Sequence, residues 1–158
     1  MDPAVKKKAL RMITYGLFVA TSRDASGPAA GAINWISQCS FTPALIMIAI
    51  KADSGLHRAI VASRKFIVHV VAKDQKDLAT AFFRSTELVG DRLNGYRLEG
   101  RPDGLPLLAD PPAWFECRVT SDVTGGDHTT FVAEVIDAGV RKDAEPLTLR
   151  DTGFFYGG

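Results

Sequence analysis

Trp114–Thr120, WFECRVT, alternates apolar and polar side chains along its whole length, the period-two pattern of a half-buried antiparallel strand. Phe115, Cys117 and Val119 are expected to face a core, with Trp114, Glu116, Arg118 and Thr120 turned to solvent or to a partner. Downstream, Phe131–Ile136 repeats the signal, and Leu147–Tyr156 reads as a last pair of short strands. Upstream, GLFVATSRDASGPAAGAINWI, Gly16–Ile36, reads as two strands joined by a turn through Asp24, Ser26, Gly27 and Pro28. Leu45–Ile50 is apolar at every position, as expected of a central strand covered on both sides, and Phe66–Val71 supplies another.

Helical signals are fewer. Asp2 and Pro3 open a helix on which Val5, Ala9, Met12 and Ile13 share one face and Lys6, Lys7, Lys8 and Arg11 the other, with Gly16 as its end. Ser54 caps a short helix carrying Leu56, Ala59 and Ile60, with Arg64 and Lys65 at its carbonyl end. Asp74 is expected to cap a third, pairing Leu78 with Phe82 and Ala79 with Phe83. Gly90–Pro112 reads as a long irregular segment of the kind that covers a site. Strands and helices do not alternate regularly, so the pattern predicts a mainly β protein, a small β-barrel with peripheral helices.

Bulk properties limit the function. The 158 residues suit a single domain, 1–158. With 19 Lys and Arg against 18 Asp and Glu, the net charge of +1 gives no field for nucleic acid or an anionic membrane. Cys39 and Cys117 are too few for a disulfide framework and no spacing suggests a metal site. The start, MDPAVKKKALRM, lacks the apolar core of a leader, and every apolar run is too short to span a bilayer, so the expected location is the cytoplasm.

Neither usual glycine-rich phosphate cradle occurs, nor a G-x-S-x-G elbow, and nothing in the sequence sets a histidine beside Cys39. His69, inside FIVHVV, reads as a hydrogen-bonded strand histidine, and His57 as a surface residue. GGDHT, Gly125–Thr129, is read either as a glycine-rich turn in which Asp127 binds backbone amides or as a functional Asp127–His128 pair. Gly31–Pro43, GAINWISQCSFTP, sets Asn34, Ser37, Gln38 and Ser40 around Trp35, Ile36, Cys39 and Phe41, too many hydrogen-bonding groups beside an indole and a thiol for a plain connector.

NWISQCSFTP (34–43), FECRV (115–119), GDHTTFVAEV (126–135) and the closing YGG (156–158), in that order, resemble the flavin reductase-like family of FMN-binding split barrels, in its flavoredoxin-related branch, from about Ala9 onward. The resemblance implies a Greek-key antiparallel split barrel, a homodimer with FMN near the subunit interface, and NADH or NADPH as hydride source. It further implies that Gly31, Ala32, Asn34, Gln38, Cys39 and Ser40 meet the flavin, with Ser40 at the phosphate and Lys51 and Ser54 adding charge and a helix amino terminus. Trp35 is left to contact either the ring system or the dimer interface. His128, oriented by Asp127, would place the nicotinamide. Ala44, Leu56 and Ala133 depart from the family pattern. The implied activity is NAD(P)H:flavin oxidoreduction, with a monooxygenase among the partners it could feed; the alternatives are an FMN-bearing electron carrier for a redox partner protein and a non-catalytic flavin- or haem-binding module.

Overall fold

The structure is a computed structural model that describes residues 1–157; of the YGG stretch, Gly158 lies outside the described residues. The elements in order are α1 (Pro3–Leu10), β1 (Phe18–Asp24), β2 (Gly27–Ile33), β3 (Ile36–Ser40), β4 (Leu45–Lys51), α2 (Gly55–Ser63), β5 (Lys65–Val70) and α3 (Lys76–Ala81). They continue with β6 (Leu88–Val89), β7 (Arg92–Leu93), β8 (Tyr96–Glu99), β9 (Leu107–Leu108), β10 (Ala113–Thr124), β11 (His128–Val140) and α4 (Leu149–Thr152). A seven-stranded sheet runs β2-β1-β5-β10-β11-β4-β3, and a smaller one runs β6-β7-β8-β9. Every pairing is antiparallel. The two edge strands of the large sheet, β2 and β3, are consecutive in the chain and are joined only by Asn34 and Trp35.

Alternation along the strands places apolar side chains on both faces of the large sheet. Ala20, Ile33, Ile46, Ile48, Phe66, Val68, Cys117, Val119 and Phe131 gather on one face against Leu56 and Ile60 of α2. Leu17, Val19 and Val71 gather on the other against Leu78 and Phe82 of the α3 region and Leu93 and Leu108 of the small sheet. Phe66, Phe131 and Ile48 are fully buried, each contributing roughly 2–3 kcal/mol by area removed from water. The β1–β2 turn is set by Asp24, whose Oδ1 accepts the Ser26 N–H at 2.8 Å, and by Gly27 at φ +117°. Ser54 caps α2 by accepting the His57 N–H at 3.1 Å, and Leu56, Ala59 and Ile60 are its buried face, as the sequence predicts.

Elsewhere the structure differs from the sequence reading. The N-terminal helix stops at Leu10 and buries none of its residues, so its apolar stripe faces out. Leu45–Ile50 lies next to the sheet edge, with Met47 45% exposed; an unbroken apolar run does not reveal whether its second face is covered. Gln75, not Asp74, occupies the N-cap of α3. Gly90–Pro112 carries three of the four strands of the small sheet and buries Leu93, Leu105, Leu107 and Leu108, so it fills a core rather than covering a site; strands of two residues are too short to produce a periodic signal. The stretch from Leu147 holds no strand pair but α4, started by a reciprocal capping box between Thr148 and Asp151.

Glu116 is also turned inward. Both faces of β10 are covered, so Glu116, paired with Ile67, and Cys117, paired with the core residue Phe66, are buried in succession. Its carboxylate is met by Lys65 Nζ at 3.4 Å and by Arg101 Nη2, and Arg101 in turn chelates Asp103 through two 3.1 Å hydrogen bonds. The charge is therefore compensated, which a buried carboxylate requires.

Candidate functional site

A cavity of about 1000 Å³ opens between β2, the start of α2, the end of β4 and the chain after α3, a size at the upper end for ligand pockets. Gly31, Ala32 and Asn34 line it from β2 and its exit, Lys51 and Ser54 from the end of β4 and the α2 cap, and His128 from the start of β11. The register brings these together: His128 pairs with Lys51, and the Ala52 N–H donates to Asp127 O at 2.9 Å. The free edge of β2 is held against the chain after α3 by Ala32 N–H donating to Phe82 O at 3.2 Å and Ala30 N–H donating to Thr86 Oγ1 at 2.9 Å.

Asn34 is 7% exposed, and its Nδ2 is fully buried with no hydrogen-bond partner. A buried unpaired donor costs about 1–3 kcal/mol, so its presence in a native wall calls for a physical reason. Trp35 Nε1 is likewise buried and unpaired. The Trp35 ring does not line the cavity; it packs behind His128, centroids 4.6 Å apart, and against Tyr156 at 5.4 Å. Gln38 and Cys39 are exposed on β3 and Ser40 is half-buried, all three outside the cavity wall. Gln38 Nε2 is occupied by Ser40 O at 3.2 Å.

His128 Nδ1 lies 2.8 Å from Asp127 Oδ1, and Nε2 lies 3.0 Å from the Tyr156 hydroxyl. The hydrogen bond from His128, followed by its charge, holds the Asp127 carboxyl below the usual range, so Asp127 is an acceptor only. In neutral His128 the proton therefore sits on Nδ1 and Tyr156 donates to Nε2. Burial raises the Tyr156 hydroxyl above its ordinary value, which keeps it a donor.

Three cations and one carboxylate, Lys51, Arg58, Arg84 and Asp53, line the cavity. Lys51 is exposed and 3.2 Å from Asp53. Arg58 is held at 2.9 Å by Asp24, whose carboxyl that hydrogen bond pulls below its ordinary value. Arg84 has no ion pair among the described residues and sits beside Ser85 and Thr86 in the cavity lining. Arg58, Arg84, Ser85, Thr86 and the aromatic run Phe154–Tyr156 were not among the residues picked from the sequence. The available signal was a cation followed by two hydroxyls directly after a helix, and three successive aromatics after Gly153.

His57 is half-buried: Nε2 lies 2.9 Å from Thr129 Oγ1 and its ring packs on Phe131 at 5.6 Å. Leu56 is 4% exposed, and a Cβ on Gly31 would stand 3.4 Å from its Cδ2, so this departure from the family pattern is a packing residue. Ala133 is fully buried in the core. His69 is bound at both ring nitrogens, as expected of a strand histidine, with Nδ1 3.1 Å from Val19 O and Nε2 accepting the Leu108 N–H at 3.0 Å. No helix among the described residues is long and apolar enough to cross a membrane, and no cluster of three or more metal-ligating side chains occurs among them.

Residues 10–158 match the model of the flavin reductase like domain. The chain is 30% identical over 148 residues to the FMN reductase (NADH) SmoA of Agrobacterium fabrum, covering 94% of this chain and 82% of that one. It is 28% identical over 135 residues to a "Probable flavin reductase" of Rhizobium meliloti, covering 85% of this chain but only 42% of that protein's length. The solved structure of the styrene monooxygenase flavin reductase of Pseudomonas putida S12 superposes with a TM-score of 0.76 at 26% identity, covering 91% of each chain. The motifs, the antiparallel architecture and these matches agree: the chain belongs to the flavin reductase like domain family.

Proposed function

We propose that this chain is an NAD(P)H:flavin oxidoreductase whose cavity takes FMN. The observation that carries the reading is the buried, unpaired Asn34 Nδ2 in the wall of a cavity rimmed by Lys51, Arg58 and Arg84. A flavin ring offers acceptors for that donor, and the cationic rim with the Ser54, Ser85 and Thr86 hydroxyls suits a phosphate tail. Ser54 Oγ already accepts from His57, which leaves its own O–H free to donate. FMN, when bound, supplies two-electron redox chemistry, and the protein supplies orientation and a site sheltered from water. His128, with Asp127 fixing its tautomer, is the group we assign to the nicotinamide nucleotide. The identity to the FMN reductase (NADH) SmoA supports this choice of flavin and reductant.

We read residues 1–158 as one domain whose large sheet is rolled into a split barrel. A flat sheet of seven strands would hold its edges roughly 29 Å apart, whereas the two residues between β2 and β3 span at most about 11 Å. The dimer is also part of this reading: Phe41, Met47, Val123 and Ile136 are exposed on the β3–β4 turn, β4, β10 and β11, and a second copy is the partner assigned to them. Sedimentation is expected to give a dimer, and Phe41→Asp with Met47→Glu to shift it to monomer. The acceptor of the reduced flavin is proposed to be a separate oxygenase, as the relation to the reductase of a styrene monooxygenase supports.

The test is anaerobic mixing of the protein, FMN and either NADH or NADPH. Bleaching of the flavin band at least about 100-fold faster than with free FMN is expected, a factor within reach of substrate positioning alone. A rate equal to that of free FMN rejects the reading.

A further inference from the structure

The imidazole of His128 has no ring nitrogen left to offer. Nδ1 is taken by Asp127 and Nε2 by the Tyr156 hydroxyl, while His128 and Tyr156 both stand in the cavity wall. Any ligand that is to hydrogen-bond Nε2 of His128 must first displace Tyr156. We propose that Phe154–Gly157 is a strap that competes with the nicotinamide nucleotide for His128, and that Tyr156 is the residue through which it competes. This inference rests on the assignment of His128 to the nucleotide.

The local structure is arranged for such an exchange. Upstream the chain is fixed: α4 begins at the Thr148–Asp151 capping box, Lys76 Nζ donates to Thr152 O at 2.9 Å, and α4 ends at Gly153 with φ +75°. Beyond Gly153 the segment is held by side-chain packing, with Phe154 against Phe83 at 5.4 Å, and by the Phe154 N–H donating to Thr152 Oγ1 at 3.0 Å. Phe154, Phe155 and Tyr156 are 39%, 72% and 46% exposed, and the first two rest under the cations of Lys76 and Arg11 at 4.9 and 4.8 Å. The strap also covers Trp35, since a Cβ on Gly157 would come within 2.9 Å of its Cζ2, while Trp35 Nε1 is buried without a partner. The contact with Tyr156 is a single neutral hydrogen bond, which a ligand amide can replace.

Tyr156→Phe retains the ring against Trp35 and removes only the hydroxyl. It is expected to lower the dissociation constant of NAD⁺, measured by calorimetry on the FMN-loaded protein, by about three- to tenfold, the factor carried by one such bond. KM for NADH is expected to fall with it, and kcat to change less than KM. A second readout is Trp35 itself. In a Trp114→Phe background Trp35 is the sole indole of the chain, and NAD⁺ is expected to red-shift its emission as the strap lifts. Weaker NAD⁺ binding in Tyr156→Phe would make Tyr156 part of the binding wall and overturn the inference. NAD⁺ binding with no change in Trp35 emission would overturn it as well, while leaving the reductase reading intact. A wild-type protein that neither binds NAD⁺ nor oxidises NADH would overturn both.

Discussion

Asn34→Leu is expected to make the ligand-free protein more stable and the flavin complex weaker. The substitution replaces a side chain that is 7% exposed, with an unpaired buried Nδ2, by an apolar group of similar volume. Removing an unsatisfied donor returns about 1–2 kcal/mol, read as a higher urea midpoint with an unchanged slope. The same change deletes the donor assigned to the flavin, so FMN affinity is expected to fall about 10- to 100-fold, measured by fluorescence quenching of FMN. Opposite signs in one variant separate a binding residue from a structural one. If both quantities fell, Asn34 would be holding the β2–β3 link instead.

The second large effect is on acid stability and comes from His69. Desolvation depresses its pKa to about 3, outweighing the hydrogen bond to Val19 that acts to raise it. The geometry gives the same answer: Val19 O only accepts, so Nδ1 carries the proton, and Nε2 accepts from Leu108, leaving no place for a second proton. An unfolded chain takes up that proton below pH about 6.5. Stability supplied by the neutral ring is thus complete above pH about 6.5 and is lost as pH falls toward 3, at about 1.4 kcal/mol per pH unit and about 4–5 kcal/mol in all. Asp24, Asp103, Asp127 and Asp151, all held below their ordinary values, act in the same direction. His69→Gln keeps a donor and an acceptor but cannot titrate. Its unfolding free energy, followed by urea titration from pH 7 to 4, is expected to fall with a slope smaller by about one proton than that of the wild type. An unchanged slope would mean that His69 is protonated in the folded protein.

The parts of this molecule legible in the sequence are those governed by local rules. The β1–β2 turn was written in Asp24, Ser26 and Gly27, and the α2 cap in Ser54 three residues before the His57 amide. The alternation at Phe115–Val119 gave the antiparallel strand, although Glu116, which the pattern placed outside, is buried because the second face of the sheet is covered as well. Long-range pairing decided the rest. Leu107 and Leu108 form a strand only because Leu98 and Glu99 lie opposite, and Leu108 is further fixed by a histidine on another sheet. The site divides in the same way. Asn34, Lys51, Ser54 and His128 came into view through the family resemblance, whereas Arg84 and Tyr156 reach the cavity by chain paths that no local pattern encodes. Gln38, Cys39 and Ser40 adjoin Asn34 in sequence, but the strand they form runs on the far side of that link.

The two peptide units at Asn34 and Trp35 join both rims of the large sheet, so Asn34 is at once half of the clasp of the fold and part of the cavity wall. Cleavage of the chain there would leave every ladder of hydrogen bonds intact while freeing the rims to drift apart. Topological variants opened at other loops would keep the groove, and one opened at this clasp would dissolve it.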